Sequence, residues 1–354
     1  MVNMNDNPFT NDSFLLNIDN ARCKINSYGA ILENFEIYDN KKGFVNVALK
    51  RNENGFREDP SYAGAILGPC AGRISHAAFM LDKTTVKLTQ NEGKHHIHGG
   101  PHGLSHTFFS PISFTSSSEK CQLSLRAVLS DQLDGYPGNR TFCVTYTLEQ
   151  HSNPSFVQLR IDMQASTDAD TYVDMSSHIY WNLNGTFQKD SGLQQYLQLQ
   201  ADRVLYNDAS HIPFQITDVT HTPFDFRKEM LLADYMKNFQ NNSQLKNALG
   251  YNNGFLLNNC EKEPAAILKS RSLHLTMELF TDQPAIVLYS GGYLKEASSA
   301  IALEASGWPD STHLPNAPSQ ILRAGDTYHK TISFRFYSSD SPSDSTLPAA
   351  HSNW

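Results

Sequence analysis

No run in this 354-residue chain approaches the roughly 20 consecutive apolar residues that a membrane-spanning helix requires. The opening, Met1-Val2-Asn3-Met4-Asn5-Asp6-Asn7, has neither a basic leader nor an apolar signal core. Cysteine is sparse and unpatterned. Cys23, Cys70, Cys121, Cys143 and Cys260 are odd in number and contain no CxxC pair, a pattern that suits reduced structural thiols and gives zinc no foothold. A cytoplasmic protein is the expectation. Positive charge is also short, with 28 Lys and Arg against 36 Asp and Glu and a net charge of −8. Nucleic acid and membrane are therefore not expected partners. Three tryptophans are few for the line of exposed aromatics that a long polymer cleft would want.

What is present is strand pattern. Phe142, Val144, Tyr146 and Leu148 alternate with Thr141, Cys143, Thr145 and Thr147, and Val157, Leu159, Ile161 and Met163 alternate with Gln158, Arg160 and Asp162. The same period recurs at Leu273, Leu275, Met277 and Leu279 and at Ile332, Phe334 and Phe336. Such segments are half-buried antiparallel strands, separated by turns such as Leu133–Asn139 and Arg323–Asp326. Helical spacing is confined to about residues 228–249. No linker or repeat divides the chain before residue 337, and the polar run that follows reads as a disordered tail over 338–354. The fold class expected is all-β, one large antiparallel β-sandwich domain over 1–337 with few short helices.

The segment Ser177-His178-Ile179-Tyr180-Trp181-Asn182-Leu183 concentrates the chemistry. Read as a strand, it points Ile179, Trp181 and Leu183 one way and His178, Tyr180 and Asn182 the other. A core has no use for such a polar row, because buried polar groups must each find a partner. A polar ligand would supply those partners, so the strand reads as an active-site floor. Three further clusters stand out. Glu304 ends an apolar run before the loop Gly307-Trp308-Pro309-Asp310, and glutamate is rarely buried unless paired or used. Arg73, in Gly72-Arg73-Ile74, offers five fixed donors to hydroxyl or carboxylate oxygens, although a surface ion pair would explain it as well. The histidine-rich loop Lys94–Gly103 lacks the regular frame of a metal site, so its glycines are read as allowing close backbone approach to a ligand, with one imidazole offering a hydrogen bond.

Taken together, these clusters resemble the aldose 1-epimerase (galactose mutarotase) family, and the resemblance runs from about residue 14 to 337. The segments that carry it are Gly72-Arg73-Ile74 through Asn91 to Ile97-His98-Gly99-Gly100, His178-Ile179-Tyr180-Trp181-Asn182-Leu183, Thr222-Pro223-Phe224-Asp225-Phe226-Arg227, and Leu303-Glu304 through Pro309-Asp310 and Pro315-Asn316. The resemblance implies a supersandwich, galactose mutarotase-like fold and cofactor-free, metal-free interconversion of the α and β anomers of a free sugar. It implies Glu304 as the general base on the anomeric hydroxyl and His178 as the general acid on the ring oxygen. Arg73 and His98 would hold sugar hydroxyls and stabilise charge on the ring oxygen. Apart from the resemblance, Tyr180 and Trp308 are read either as an apolar platform for a sugar face or as core packing. An imidazolium beside a carboxylate would keep each catalytic group charged and ready.

The chain departs from the family pattern among the groups that read hydroxyls. Asn252 stands where an aspartate is usual, Val287 and Ser306 stand for glutamines, and Gly72 stands for an asparagine. The reaction type is therefore more legible than the sugar: galactose, glucose and a disaccharide such as maltose are open, and a phosphorylated sugar is disfavoured because Arg73 is the only clear cation among the site candidates. The competing classes are a non-catalytic sugar-binding or sugar-sensing protein on the same fold and an accessory β-sandwich module. A monomer and a homodimer are both open.

Overall fold

The computed structural model describes residues 13–51, 59–258 and 262–338. Two large sheets dominate it. A nine-stranded sheet carries the long strands Lys120–Leu129, Arg140–Ser152, Ser155–Thr167 and Thr327–Ser338 side by side. A six-stranded sheet is built, in spatial order, from Tyr180–Trp181, Ile301–Ser306, Ala285–Tyr289, Asn252–Leu257, Ala201–Asn207 and Pro213–Asp218. Neighbouring strands in both are antiparallel, which makes the molecule an all-β sandwich, and a separate four-stranded sheet starts at Ser13.

Side-chain alternation explains why the sheets stack. Phe142, Val144, Tyr146 and Leu148 are buried while Thr141, Cys143 and Thr145 are half-exposed, so one face of the long sheet goes to the core. Phe334 and Phe336 reach the same core and close on Trp181 of the second sheet, with ring centroids 4.9 and 5.4 Å away. Phe35 stacks on Phe336 at 4.7 Å. Trp181 is fully buried. Its strand is thus fixed from the core side by aromatic packing, and the residue before it, Tyr180, is turned to the opposite face.

The helical expectation resolves into two short helices, Leu232–Asn238 and Ser243–Asn247. They part at Asn242, whose side chain accepts the backbone N–H groups of Gln244 and Leu245 and starts the second. Cys23, Cys70, Cys121 and Cys143 are free thiols, and Cys260 lies outside the described residues. The polar tail expected from 338 also lies outside them from 339 onward, although Ser338 itself pairs with Leu275 in the long sheet. Among the described residues no helix is long and apolar enough to cross a membrane.

Candidate active site

The six-stranded sheet sets out the floor of a cavity by register. Val287 pairs with Glu304 and with Gly254, while Tyr289 pairs with Ala302 and with Asn252, and Ala302 pairs with Tyr180. Paired residues share a face. Gly254, Val287 and Glu304 therefore form one row across three strands, and Asn252, Tyr289, Ala302 and Tyr180 form the next. The alternate residues Ile286, Leu288, Ile301, Leu303 and Trp181 face the core and are buried. A cavity of about 350 Å³ lies over the two polar rows.

Loops bring the remaining groups. The strand read over 177–183 is interrupted at His178: Ser176–Ser177 pairs with Ile66–Leu67, and only Tyr180–Trp181 joins the six-stranded sheet. The break is held by backbone bonds from His178 N to Ala65 O and from Gly64 N to His178 O, 2.8 and 2.9 Å. It turns the His178 ring toward Glu304, so that Nε2 lies 3.7 Å from Oε1. His98 is fixed by a reciprocal contact: its N–H donates to Gly72 O at 2.9 Å, and Gly72 N–H donates to its Nδ1 at 3.2 Å. Gly99 follows at φ +83°, where a Cβ would collide with the carbonyl oxygen of Gly68. Arg73 pairs with Ile97 on the short ladder Arg73–Ile74 with His96–Ile97, which aligns it over the cavity.

The structure brings together all six residues singled out for the site. His178, Glu304, Arg73, His98, Tyr180 and Asn252 line the one cavity. Arg73 is at once cavity wall and ion pair, donating Nε and Nη2 to Glu92 at 2.5 and 2.6 Å. Tyr180 contributes its ring, with its centroid 4.8 Å from that of His178, but its hydroxyl donates to Ser61 O. Gly72 and Val287 also line the cavity.

Several expectations are corrected. Asn182 does not join the polar row: it is fully buried, and its Nδ2 is surrounded by Thr186 O, Ser191 Oγ and Ser299 O at 2.5 to 3.0 Å. The backbone leaves strand geometry after Trp181, so the two-residue period stops there. Of the two readings of Trp308, core packing holds, since it packs with Leu205, Leu256 and Ala285. Ser306 turns away, its Oγ donating to Gly307 O. The motif Thr222–Arg227 is a brace: Phe224 and Phe226 are buried, and Arg227 holds Asp225 by two bonds of 2.8 Å. The other histidines of the 94–103 loop disperse, His96 to Tyr136 and Thr89, His95 to the His76 N–H and His102 to Asp134.

The electrostatics also differ from the expected ion pair. Burial pushes the His178 imidazole down to about 3 and raises the Glu304 carboxyl to about 8, with Arg73 pulling it only partly back. Desolvation disfavours either charge more than the neighbouring group favours it. Burial therefore favours the uncharged pair, with the proton on Glu304 rather than on His178. His98 is likewise held well below the ordinary imidazole range, first by burial and then by His178 and Arg73.

His98, His178 and Glu304 offer three donor atoms within 4.8 Å of one another, a spacing that invites a cation. The hydrogen bonding points elsewhere. A ligating histidine gives its second ring N–H to an acceptor, whereas the His98 Nδ1 faces a donor, the Gly72 N–H. Its Nε2 consequently carries the hydrogen, and His98 is set to donate to a ligand oxygen.

Residues not singled out from the sequence complete the walls: Tyr62, Glu92, Asn207, His211, Tyr289, Tyr293 and Lys295. Tyr62 lies edge-on to His98 with centroids 4.7 Å apart and takes φ +54°, a strained setting for an aromatic residue. Glu92 follows Asn91 in a segment already singled out, but no local pattern distinguishes it from a solvent-facing turn residue.

Comparison with known proteins gives the family. The aldose 1-epimerase family pattern matches residues 12–335. The galactose mutarotase of Bos taurus is 29% identical over 342 residues, 92% of this chain and 94% of the mutarotase. The aldose 1-epimerase of Haemophilus influenzae is 32% identical over 290 residues, 78% of this chain and 81% of that one. The crystal structure of galactose 1-epimerase from Lactobacillus acidophilus superposes with a TM-score of 0.79 at 24% identity, covering 92% of this chain and 98% of that one, a likeness of fold. A buried imidazole facing a buried carboxyl on this sandwich is thus found in a chain that belongs to the aldose 1-epimerase family and is a sugar epimerase, an isomerase.

Proposed function

We propose that the enzyme interconverts the α and β anomers of a free aldose, galactose or glucose, by acid–base ring opening, with Glu304 as base and His178 as acid. The observation that carries this reading is the 3.7 Å separation of His178 Nε2 and Glu304 Oε1 on the cavity floor. The anomeric hydroxyl and the ring oxygen are bonded to one carbon, so a base and an acid serving them must converge. Each group must come within about 2.6–3.2 Å of its own oxygen.

The steps follow from this geometry. The Glu304 carboxylate takes the proton of the anomeric hydroxyl while the His178 imidazolium gives its proton to the ring oxygen. The bond from the anomeric carbon to the ring oxygen breaks, and its electrons leave with that oxygen as the carbonyl forms. The open aldehyde rotates about the bond to the next carbon. On reclosure the ring-chain hydroxyl returns its proton to His178, and Glu304 protonates the new anomeric oxygen. No net proton is consumed.

The site enters this cycle with the required number of protons, because one proton on the pair serves whichever partner holds it. Moving that proton from Glu304 to His178 is uphill in the empty cavity, where both groups are desolvated. Sugar oxygens bound against both would favour the charged arrangement. Arg73 and His98 would donate to sugar hydroxyls and to charge on the ring oxygen, and the Tyr180 ring would lie against an apolar sugar face. Asn252 would offer a neutral amide to a hydroxyl.

Polarimetry or proton NMR of freshly dissolved α-galactose, α-glucose, xylose and maltose tests the reading. Catalysed approach to the anomeric equilibrium on at least one of them is expected. A protein that binds the sugars and leaves the uncatalysed rate unchanged would instead be a sugar-binding member of the fold.

A further inference from the structure

The turn that carries Asn91 and Glu92 is held from both sides. Glu92 N–H donates to His95 O and His95 N–H donates back to Glu92 O, 3.2 and 2.9 Å. The Asn91 side chain brackets Ile97, accepting its N–H at 2.8 Å and donating to its carbonyl at 3.0 Å. Ile97 is in turn the ladder partner of Arg73. Glu92 is therefore placed beside Arg73 by backbone, and its two oxygens take the guanidinium in a bidentate pair. The Arg73 side chain is 17% exposed and that of Glu92 is 40% exposed, so the carboxylate is the outer member. A carboxylate has about four acceptor positions. Arg73 occupies two, and Glu92 is a lining residue of the cavity.

We propose that Glu92 is a specificity-determining residue: its carboxylate accepts sugar hydroxyls in place of the charged acceptor absent at Asn252, and it cancels the charge of Arg73 so that the cavity admits neutral aldoses and rejects sugar phosphates. This rests on the aldose reading above and concerns which aldoses are taken. Arg73 and Lys295 both line the cavity, and with Arg73 unopposed they would present two cations suited to a phosphate. With Glu92 between a phosphate and Arg73, an anionic sugar meets like charge where a neutral one meets an acceptor. Specificity of this kind comes from the repulsive element as much as from the attractive one.

The test compares wild type with Glu92→Gln, which keeps shape and loses charge, and with Glu92→Ala. Anomer exchange gives KM and kcat for galactose and glucose, with glucose 6-phosphate as competitor, and calorimetry measures binding of glucose and glucose 6-phosphate directly. Loss of one hydroxyl acceptor should raise KM for the neutral sugars about three- to tenfold in Glu92→Gln, with kcat within about twofold. Glucose 6-phosphate should compete about tenfold better or more, and Glu92→Ala should move both values the same way. Unchanged KM with no gain for the phosphate overturns the proposal. So does a fall in kcat at constant KM, which would place Glu92 in transition-state stabilisation through Arg73. A wild type inactive on every neutral aldose would contradict the proposed reaction alone. Calorimetry would still judge Glu92, supporting it if the variant exchanges glucose affinity for phosphate affinity and overturning it if both affinities stay fixed.

Discussion

His178 Nε2 lies 3.7 Å from Glu304 Oε1, and burial rather than mutual attraction sets the charge of both. The imidazole is pushed down and the carboxyl up, so the two lose their first and second protons far apart. Between these steps the pair carries a single proton, the one that the proposed ring opening would move from one sugar oxygen to the other.

This predicts the pH dependence of kcat/KM. The pair should be competent between its two apparent values, about 3 and about 8. Activity should be level across the neutral range. It should fall above about 8, where Glu304 loses the shared proton, and fall again toward 3, where both groups are protonated. Initial rates by polarimetry across this range, corrected for the uncatalysed reaction, check it. An activity that kept rising beyond pH 9 would require a different proton inventory.

Glu304→Gln should affect stability in a way that depends on pH. The folded carboxyl titrates near 8 and its unfolded counterpart near 4.5, so between these values the folded state binds more protons and wild-type stability falls as pH rises. The amide removes this loss. Glu304→Gln should therefore gain relative to wild type from pH 4.5 to 8, by up to a few kcal/mol, and hold that gain above. Denaturant titrations at pH 5 and pH 9 measure the difference.

Asn182→Ala should act on the fold. Its amide ties Trp181's strand to Thr186 and Ser299, and removing these bonds from a fully buried side chain should cost about 1–3 kcal/mol. The melting temperature should drop, while KM for the sugar stays near wild type in the protein that remains folded.

The sandwich was legible because its long strands alternate strictly: Phe142 to Leu148 and Val157 to Met163 show one apolar face each, and a period of two is visible locally. The site was legible in its membership, since His178, Glu304, Arg73 and His98 sit in motifs whose order resembles a known family. What the sequence hid depends on tertiary contacts. The strand pattern around His178 continues through Asn182 in the sequence, whereas the backbone breaks at His178 under bonds with Gly64 and Ala65, far upstream in the chain. The charge state of the His178–Glu304 pair is not legible in the sequence, because motifs imply proximity while desolvation is a property of the packed sheet. Glu92 was invisible because its partner, Arg73, is reached through Ile97 and not through sequence spacing.

The most direct measurement is anomer exchange of fresh α-galactose by wild type, His178→Asn and Glu304→Gln, each shown to be folded. Each substitution should lower kcat by about 10²–10⁴-fold, and the double variant should be little worse than either single one, because the two groups act as a unit. A variant at either position that exchanges anomers at the wild-type rate would contradict the account.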